Sequence, residues 1–168
     1  MFVSLKDGAE IGVREIEPAD KSALTSALLR LSEDTAYRRF LSPKPGFSRA
    51  ELRYLTEVDG VNHFALVASP RDDPARIVGV ARFVRLPEGS DTAEFAVVVD
   101  DEYQGRGLGK RIGLLLAHAA RERGIEHFTA SILGDNVAAH RLLDSIAERM
   151  TRARAERGVS ELVLDLAA

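Results

Sequence analysis

The residues able to do chemistry are concentrated between Glu94 and Arg111. Glu94 precedes an apolar run, Phe95-Ala-Val-Val-Val99, and beyond it Gly105, Gly107 and Gly109 stand at alternate positions just before an amphipathic helical pattern. Glycines at a helix start leave backbone N–H groups free at the positive end of the helix dipole, which favours an anion. Glycine also lets a phosphate approach the backbone where a β-carbon would collide with it, and Arg106, Lys110 and Arg111 add positive charge nearby. Two common phosphate loops are excluded by spacing. A P-loop needs Ser or Thr after Gly-Lys, but Arg111 follows Gly109-Lys110; a dinucleotide fingerprint needs glycine where Lys110 stands. The competing reading is a glycine turn that only joins a strand to a helix, and it leaves the flanking cations without a purpose.

Other chemistries find little support. The chain has no cysteine, which removes disulfides, thiolate metal sites and a thiol nucleophile, and fits a reducing compartment. His63, His118, His127 and His140 show neither H-x-x-x-H nor H-x-H spacing, so no metal is expected. Ser131 and Ser145 lack a G-x-S-x-G setting for a hydrolase triad.

The elements that must position Glu94 and the glycines can be read from periodicity and turn residues. Phe2–Leu5 and Glu10–Ile16 read as a hairpin around Asp7-Gly8. Pro18 opens a helix with Ala23, Leu24, Ala27, Leu28 and Leu31 inward, and a second starts at Ser32-Glu33-Asp34 and ends before Pro43 and Pro45. Ser48 and Glu51 form a capping box for a third. Asn62–Ser69, Ala75–Leu86 and Thr92–Val99 read as an antiparallel meander, separated by turns at Pro70–Pro74 and Pro87–Ser90. A helix with Leu108, Ile112, Leu115, Leu116 and Ala119 inward then runs to Gly124, followed by a strand His127–Leu133, a helix Asn136–Arg149, and strands at Thr151–Ala155 and Glu161–Leu166. An antiparallel half joined to a βαβ half gives an α+β (mixed α/β) class around one central sheet.

The 168 residues, 45% hydrophobic and 29% charged, suit one domain spanning 1–168. A net charge of −3 supplies no positive field for a nucleic-acid backbone, so no nucleic-acid partner is expected. The longest nearly apolar stretch, Ile112–Ala120, is broken by Gly113 and His118, and the N-terminus has no signal-peptide pattern; the expectation is a cytoplasmic protein without a membrane span. Arg149, Arg152, Arg154 and Arg157 alternate with Glu148 and Glu156 and read as a solvated face.

On these residues the chain resembles a known superfamily. Gln104-Gly-Arg-Gly-Leu-Gly109 is similar to the pyrophosphate signature of the GNAT N-acetyltransferases, and Asn136-x-x-Ala139-x-x-Leu142 to their second motif. Arg38-Arg-Phe-Leu-Ser42, Leu55-Thr-Glu-Val-Asp59 and Ala93-Glu-Phe-Ala96 resemble the catalytic domain of bacterial Pat-type protein lysine acetyltransferases. The resemblance implies a mostly antiparallel central sheet with helices on both faces, and direct transfer of an acetyl group from acetyl-CoA to an amine. It implies that the backbone N–H groups of Gly105, Arg106, Gly107, Gly109 and Lys110, within the signature opened by Gln104, hold the pyrophosphate. Main-chain groups of Val97 and Val99 would pair with the pantetheine arm as an added strand, and the Asn136 side chain would bond the same arm.

The resemblance also makes Glu94 the general base, ten residues before Gln104. A lysine ε-amine, with a free pKa of about 10.4, lies at pH 7 about 4.6 kcal/mol from its neutral form. An apolar strand is a setting that raises a carboxylate toward the working pH. The alternative is a strand glutamate paired with Arg82 or a neighbour. Two departures stand out: Leu143 occupies the place of the family's acidic tyrosine, and Ile146-Ala147 replaces its Gly-Phe helix ending. A coenzyme A thiol with a pKa of about 8.5 can take its proton from water; Ser145 and His140 are weak substitutes.

The implied acceptor is a protein lysine, on the resemblance that of an acyl-CoA synthetase. The alternatives are a small amine or an N-terminus, and, from another class, a non-catalytic acyl-CoA-binding regulatory module. The acceptor groove is expected among the first helices and Ser42–Phe47. A separate regulatory domain does not fit in 168 residues, and a homodimer is left open.

Overall fold

A computed structural model describes residues 1–87 and 89–166. Glu88 of the expected Pro87–Ser90 turn and residues 167–168 of the expected domain lie outside the described residues. The strands are β1 (Phe2–Ser4), β2 (Glu10–Glu15), β3 (His63–Pro70), β4 (Gly79–Arg85), β5 (Thr92–Val99), β6 (His127–Leu133), β7 (Ala147–Glu156) and β8 (Val159–Leu166). The helices are α1 (Lys21–Arg30), α2 (Glu33–Phe40), α3 (Arg49–Thr56), α4 (Leu108–Glu122) and α5 (Val137–Ile146). The strands form one sheet in the order β1-β2-β3-β4-β5-β6-β8-β7. Every neighbouring pair is antiparallel except β5–β6.

The hairpin, the meander and the three N-terminal helices are as expected. Both halves of the capping box form, with Ser48 Oγ accepting from Glu51 N–H at 3.1 Å and Glu51 Oε2 accepting from Ser48 N–H at 2.7 Å. Strand alternation divides the apolar residues between two faces. On one, Phe83, Phe95 and Phe128 pack beneath Ile112, Leu116 and Ala120 of α4 with Leu143 and Ile146 of α5. On the other, Ile16, Ala65, Val67 and Val80 pack against Leu24 of α1 and, in part, Leu52 and Leu55 of α3.

Four boundaries differ from expectation. Pro18–Asp20 is a 3-10 turn leading into α1. Before β4, Arg76 N–H bonds to the Asp73 carbonyl in a second turn, so strand pairing begins only when Val78 N–H reaches Ala68 O at 2.8 Å. Helix α5 stops at Ile146, not Arg149, because Ala147 and Arg149 pair with Leu166 and Asp165 of β8. The i, i+4 spacing of Ile146 and Met150 mimics a longer helix there. Strand β8 starts at Val159, since Arg157 (φ 51°) and Gly158 (φ 79°) make a tight two-residue hairpin that pairs Glu156 with Val159. Strand β7 is mostly exposed, as the alternating charges predict.

Candidate active site

Strands β5 and β6 pair only from Thr92–Glu94 to His127–Thr129 and then separate. A groove of about 770 Å³ opens where they part. Asp100 N–H donates to Val78 O at 2.8 Å, so by alternation Ala96 and Val98 turn their main-chain groups toward β4, while Val97 and Val99 turn theirs toward the gap. The Val99 carbonyl is already taken by Gln104 Nε2 at 2.9 Å, which leaves its N–H free of that bond.

The glycine turn ends in α4. Gly105 (φ 72°) and Gly107 (φ 90°) occupy the left-handed region, where a side chain is strained. A β-carbon on Gly105 would point into open space, and one on Gly107 would meet the Lys6 side chain at 3.5 Å. At Gly109 it would touch Val99 and Leu142 at ordinary distances. Arg111 N–H bonds to Gly107 O, so Leu108, Gly109 and Lys110 have N–H groups without an intrahelical acceptor at this end.

Every expected site residue lines the groove except Arg106: Glu94, Val97, Val99, Gln104, Gly105, Gly107, Gly109, Lys110 and Asn136 are all in its wall. The Arg106 side chain is instead paired with Asp7 and lies over the Tyr103 ring at 4.6 Å, which spends the charge expected at the turn. Lys6, absent from the sequence reading, lines the groove, brought there by a bond from its N–H to Arg106 O. Asn136 caps α5, its Oδ1 accepting from Ala139 N–H at 3.2 Å, and so keeps its side-chain NH₂ to donate. Gln104 spends its amide on Val99 O and, at 3.3 Å, on Thr35 Oγ1; it braces the turn.

Glu94 is exposed on the groove wall, contrary to its apolar sequence context. The cause is alternation, which buries Ala93 and Phe95 and sends Glu94 to the opposite face. It forms no ion pair with Arg82 or any other cation within 4.0 Å among the described residues. Leu143, at the place of the family tyrosine, is buried, and Ser145 Oγ donates to Leu142 O at 2.6 Å.

On the same sheet face lies a cluster missed in the sequence. Arg82, 5% exposed, donates through Nη1 to Leu55 O at 3.1 Å and to His63 Nε2 at 2.9 Å. Because guanidinium can only donate, His63 must be neutral and protonated on Nδ1. Burial, then the charge of Arg82, push His63 down to about 4. Burial, then repulsion from Arg39, push Arg82 down to about 9. Burial also lowers Arg39, opposed by the charge of Glu94. Its visible signal was a lone arginine within Gly79-Val-Ala-Arg-Phe-Val84.

The His63 shift makes stability pH-dependent. Its folded-state pKa lies below the unfolded value of about 6.5, so its contribution is present above that pH and is lost as pH falls toward 4. The loss is up to about 3 kcal/mol by linkage. Denaturant titrations from pH 7 to 4 are expected to show this slope in the wild type and a shallower one in His63→Gln.

Asp91, Glu126 and His127 bring ligand atoms within 4.8 Å of one another at the starting ends of β5 and β6, away from the groove, but His127 Nδ1 already bonds Asp165 at 2.9 Å. Among the described residues no helix is long and apolar enough to cross a membrane.

The strand pair splays beside a glycine-started helix, and the model of the acetyltransferase (GNAT) family matches residues 27–146, which include both. The chain belongs to that family, whose members draw an acetyl group from acetyl-CoA. It is 34% identical over 144 residues, 86% of its length, to the acetyltransferase Pat of Mycolicibacterium smegmatis, and spans 43% of that protein. It is 43% identical over 98 residues to the L-2,4-diaminobutyric acid acetyltransferase of Streptomyces coelicolor, 56% of each chain. Among solved structures, the GNAT domain of S. lividans PAT superposes with a TM-score of 0.88 at 30% identity, covering 99% of this chain and 96% of that one.

Proposed function

We propose that the protein transfers an acetyl group from acetyl-CoA directly to a protein lysine ε-amine, with Glu94 as general base. The observation that carries this reading is the convergence on one groove of Glu94, the free edge of β5 and the N–H groups at the start of α4. The N–H groups at Gly105–Lys110, with Lys6 and Lys110, would hold the pyrophosphate. The N–H of Val99, the main chain of Val97 and the Asn136 amide would align the pantetheine arm and polarise the thioester carbonyl.

Glu94 takes the amine's proton directly or through one water and, being open to solvent, passes it on. No side chain need protonate the departing thiol, since water suffices for a group with a pKa of about 8.5. The similarity to Pat joins the resemblance to Pat-type protein lysine acetyltransferases in supporting a protein lysine, by that resemblance one on an acyl-CoA synthetase. The similarity to a diaminobutyrate enzyme favours a second reading, a small amine. Side-by-side assays separate them: a synthetase acetylated at least tenfold more efficiently than amines supports the first, the reverse order supports the second. Binding of acetyl-CoA with no acceptor turned over would instead leave a regulatory module.

A further inference from the structure

The face of the sheet that carries Glu94 holds more positive charge than its own residues neutralise. Arg82 pairs in register with Ala96, two residues from Glu94 and on the same face. Both of its hydrogen-bond partners, the Leu55 carbonyl and neutral His63, are uncharged. Arg39, on α2, has no carboxylate within 4.0 Å among the described residues. The two guanidinium groups line a second, smaller cavity of about 50 Å³ between the sheet and α1–α3, otherwise walled mainly by apolar side chains such as Leu28, Phe47 and Leu55. This cavity meets the large groove at Arg39, Phe40 and Val98, which belong to both.

The one acidic residue in the small cavity is Asp100, and its carboxylate is engaged by Arg30 at 3.3 Å and Arg76 at 3.5 Å. Among the described residues Glu94 is the carboxylate whose charge reaches Arg39, and no carboxylate lies within 4.0 Å of Arg82. An incoming ammonium would be repelled by the pair, and a buried guanidinium lacking a counter-ion is costly. Both penalties are relieved if the acceptor itself brings an anion.

We infer that the acceptor carries a carboxylate close to its amine, and that Arg39 and Arg82 bind this carboxylate while Glu94 faces the amine. The inference rests on the groove being the transferase site. It makes Arg39 and Arg82 specificity-determining residues, and it applies equally to a small amino acid and to a lysine beside an acidic residue. A charge-assisted pair discriminates by roughly tenfold to a hundredfold.

The test compares kcat/KM within two matched pairs of acceptors: L-2,4-diaminobutyrate with its carboxamide, and the peptide Ala-Lys-Glu with Ala-Lys-Gln, both peptides blocked at their ends. The wild type is expected to favour the carboxylate member of at least one pair by tenfold or more. Preference in the first pair identifies a small amino acid, and preference in the second an acidic sequence context. Arg39→Gln is expected to bring the ratio close to one, and Arg39→Glu to reverse it. Arg82→Gln should lower the ratio too, judged only if circular dichroism shows it folded; Arg39 is at the groove wall and carries the test. Acetylation without preference, or a preference that survives both Arg39 variants, overturns the inference and leaves the transferase reading standing. Turnover of none of the four compounds by protein that binds acetyl-CoA overturns the inference, and failure to acetylate a synthetase protein as well removes the transferase reading with it.

Discussion

Glu94→Gln is expected to lower the rate of acetyl transfer at pH 7 by roughly a hundredfold to ten-thousandfold, the range for loss of a general base. Affinity for acetyl-CoA should stay within about twofold, because the substitution keeps the side chain's shape and the pyrophosphate cradle lies at the other end of β5. Stability should also hold, since Glu94 is exposed and makes no ion pair within 4.0 Å among the described residues. The deficit should shrink as pH approaches the pKa of the amine, about 10.4, where solvent supplies the neutral nucleophile. Steady-state rates from pH 6 to 10 on both proteins check this. Equal kcat/KM at pH 7 would remove Glu94 from the role of base.

The second large effect is expected at Gly107. Gly107→Glu should weaken acetyl-CoA binding by at least roughly a hundredfold, because a carboxylate at the start of α4 opposes the pyrophosphate at short range. Two causes act together there: the φ of 90° strains any side chain, and the new charge faces the anion. Gly107→Ala separates them, carrying the strain without the charge. It should lose roughly tenfold in affinity, and both variants should lose about 1–2 kcal/mol of stability to the left-handed backbone. Binding by Gly107→Glu equal to that of Gly107→Ala would place the pyrophosphate elsewhere.

The elements flanking the site were legible because their local chemistry and their tertiary surroundings agree. Ser48 and Glu51 announce a helix start that the fold completes, and alternate glycines announce the left-handed backbone seen at Gly105 and Gly107. Legibility failed where pairing partners decide. Nothing local to Ala147–Met150 tells strand from helix, and β8 settles it. For the same reason the context of Glu94 misleads: its neighbours in sequence are apolar, but its neighbours in space are the groove and the half-buried Arg39. The Arg106 side chain, read as added charge beside the phosphate, pairs instead with Asp7, distant in sequence, and only its backbone N–H is left for that contact. Arg39, Arg82 and His63 come from three elements and meet only in the folded sheet.

The most direct test of the account is calorimetric titration of the purified protein with acetyl-CoA, with NAD and ATP as controls. The account predicts saturable, one-to-one binding of acetyl-CoA that neither control reproduces, since only a pantetheine arm can pair with the β5 edge beyond the pyrophosphate. Absence of binding by the folded protein, or equal binding of NAD, would contradict it and reduce the glycine turn to a joint between a strand and a helix.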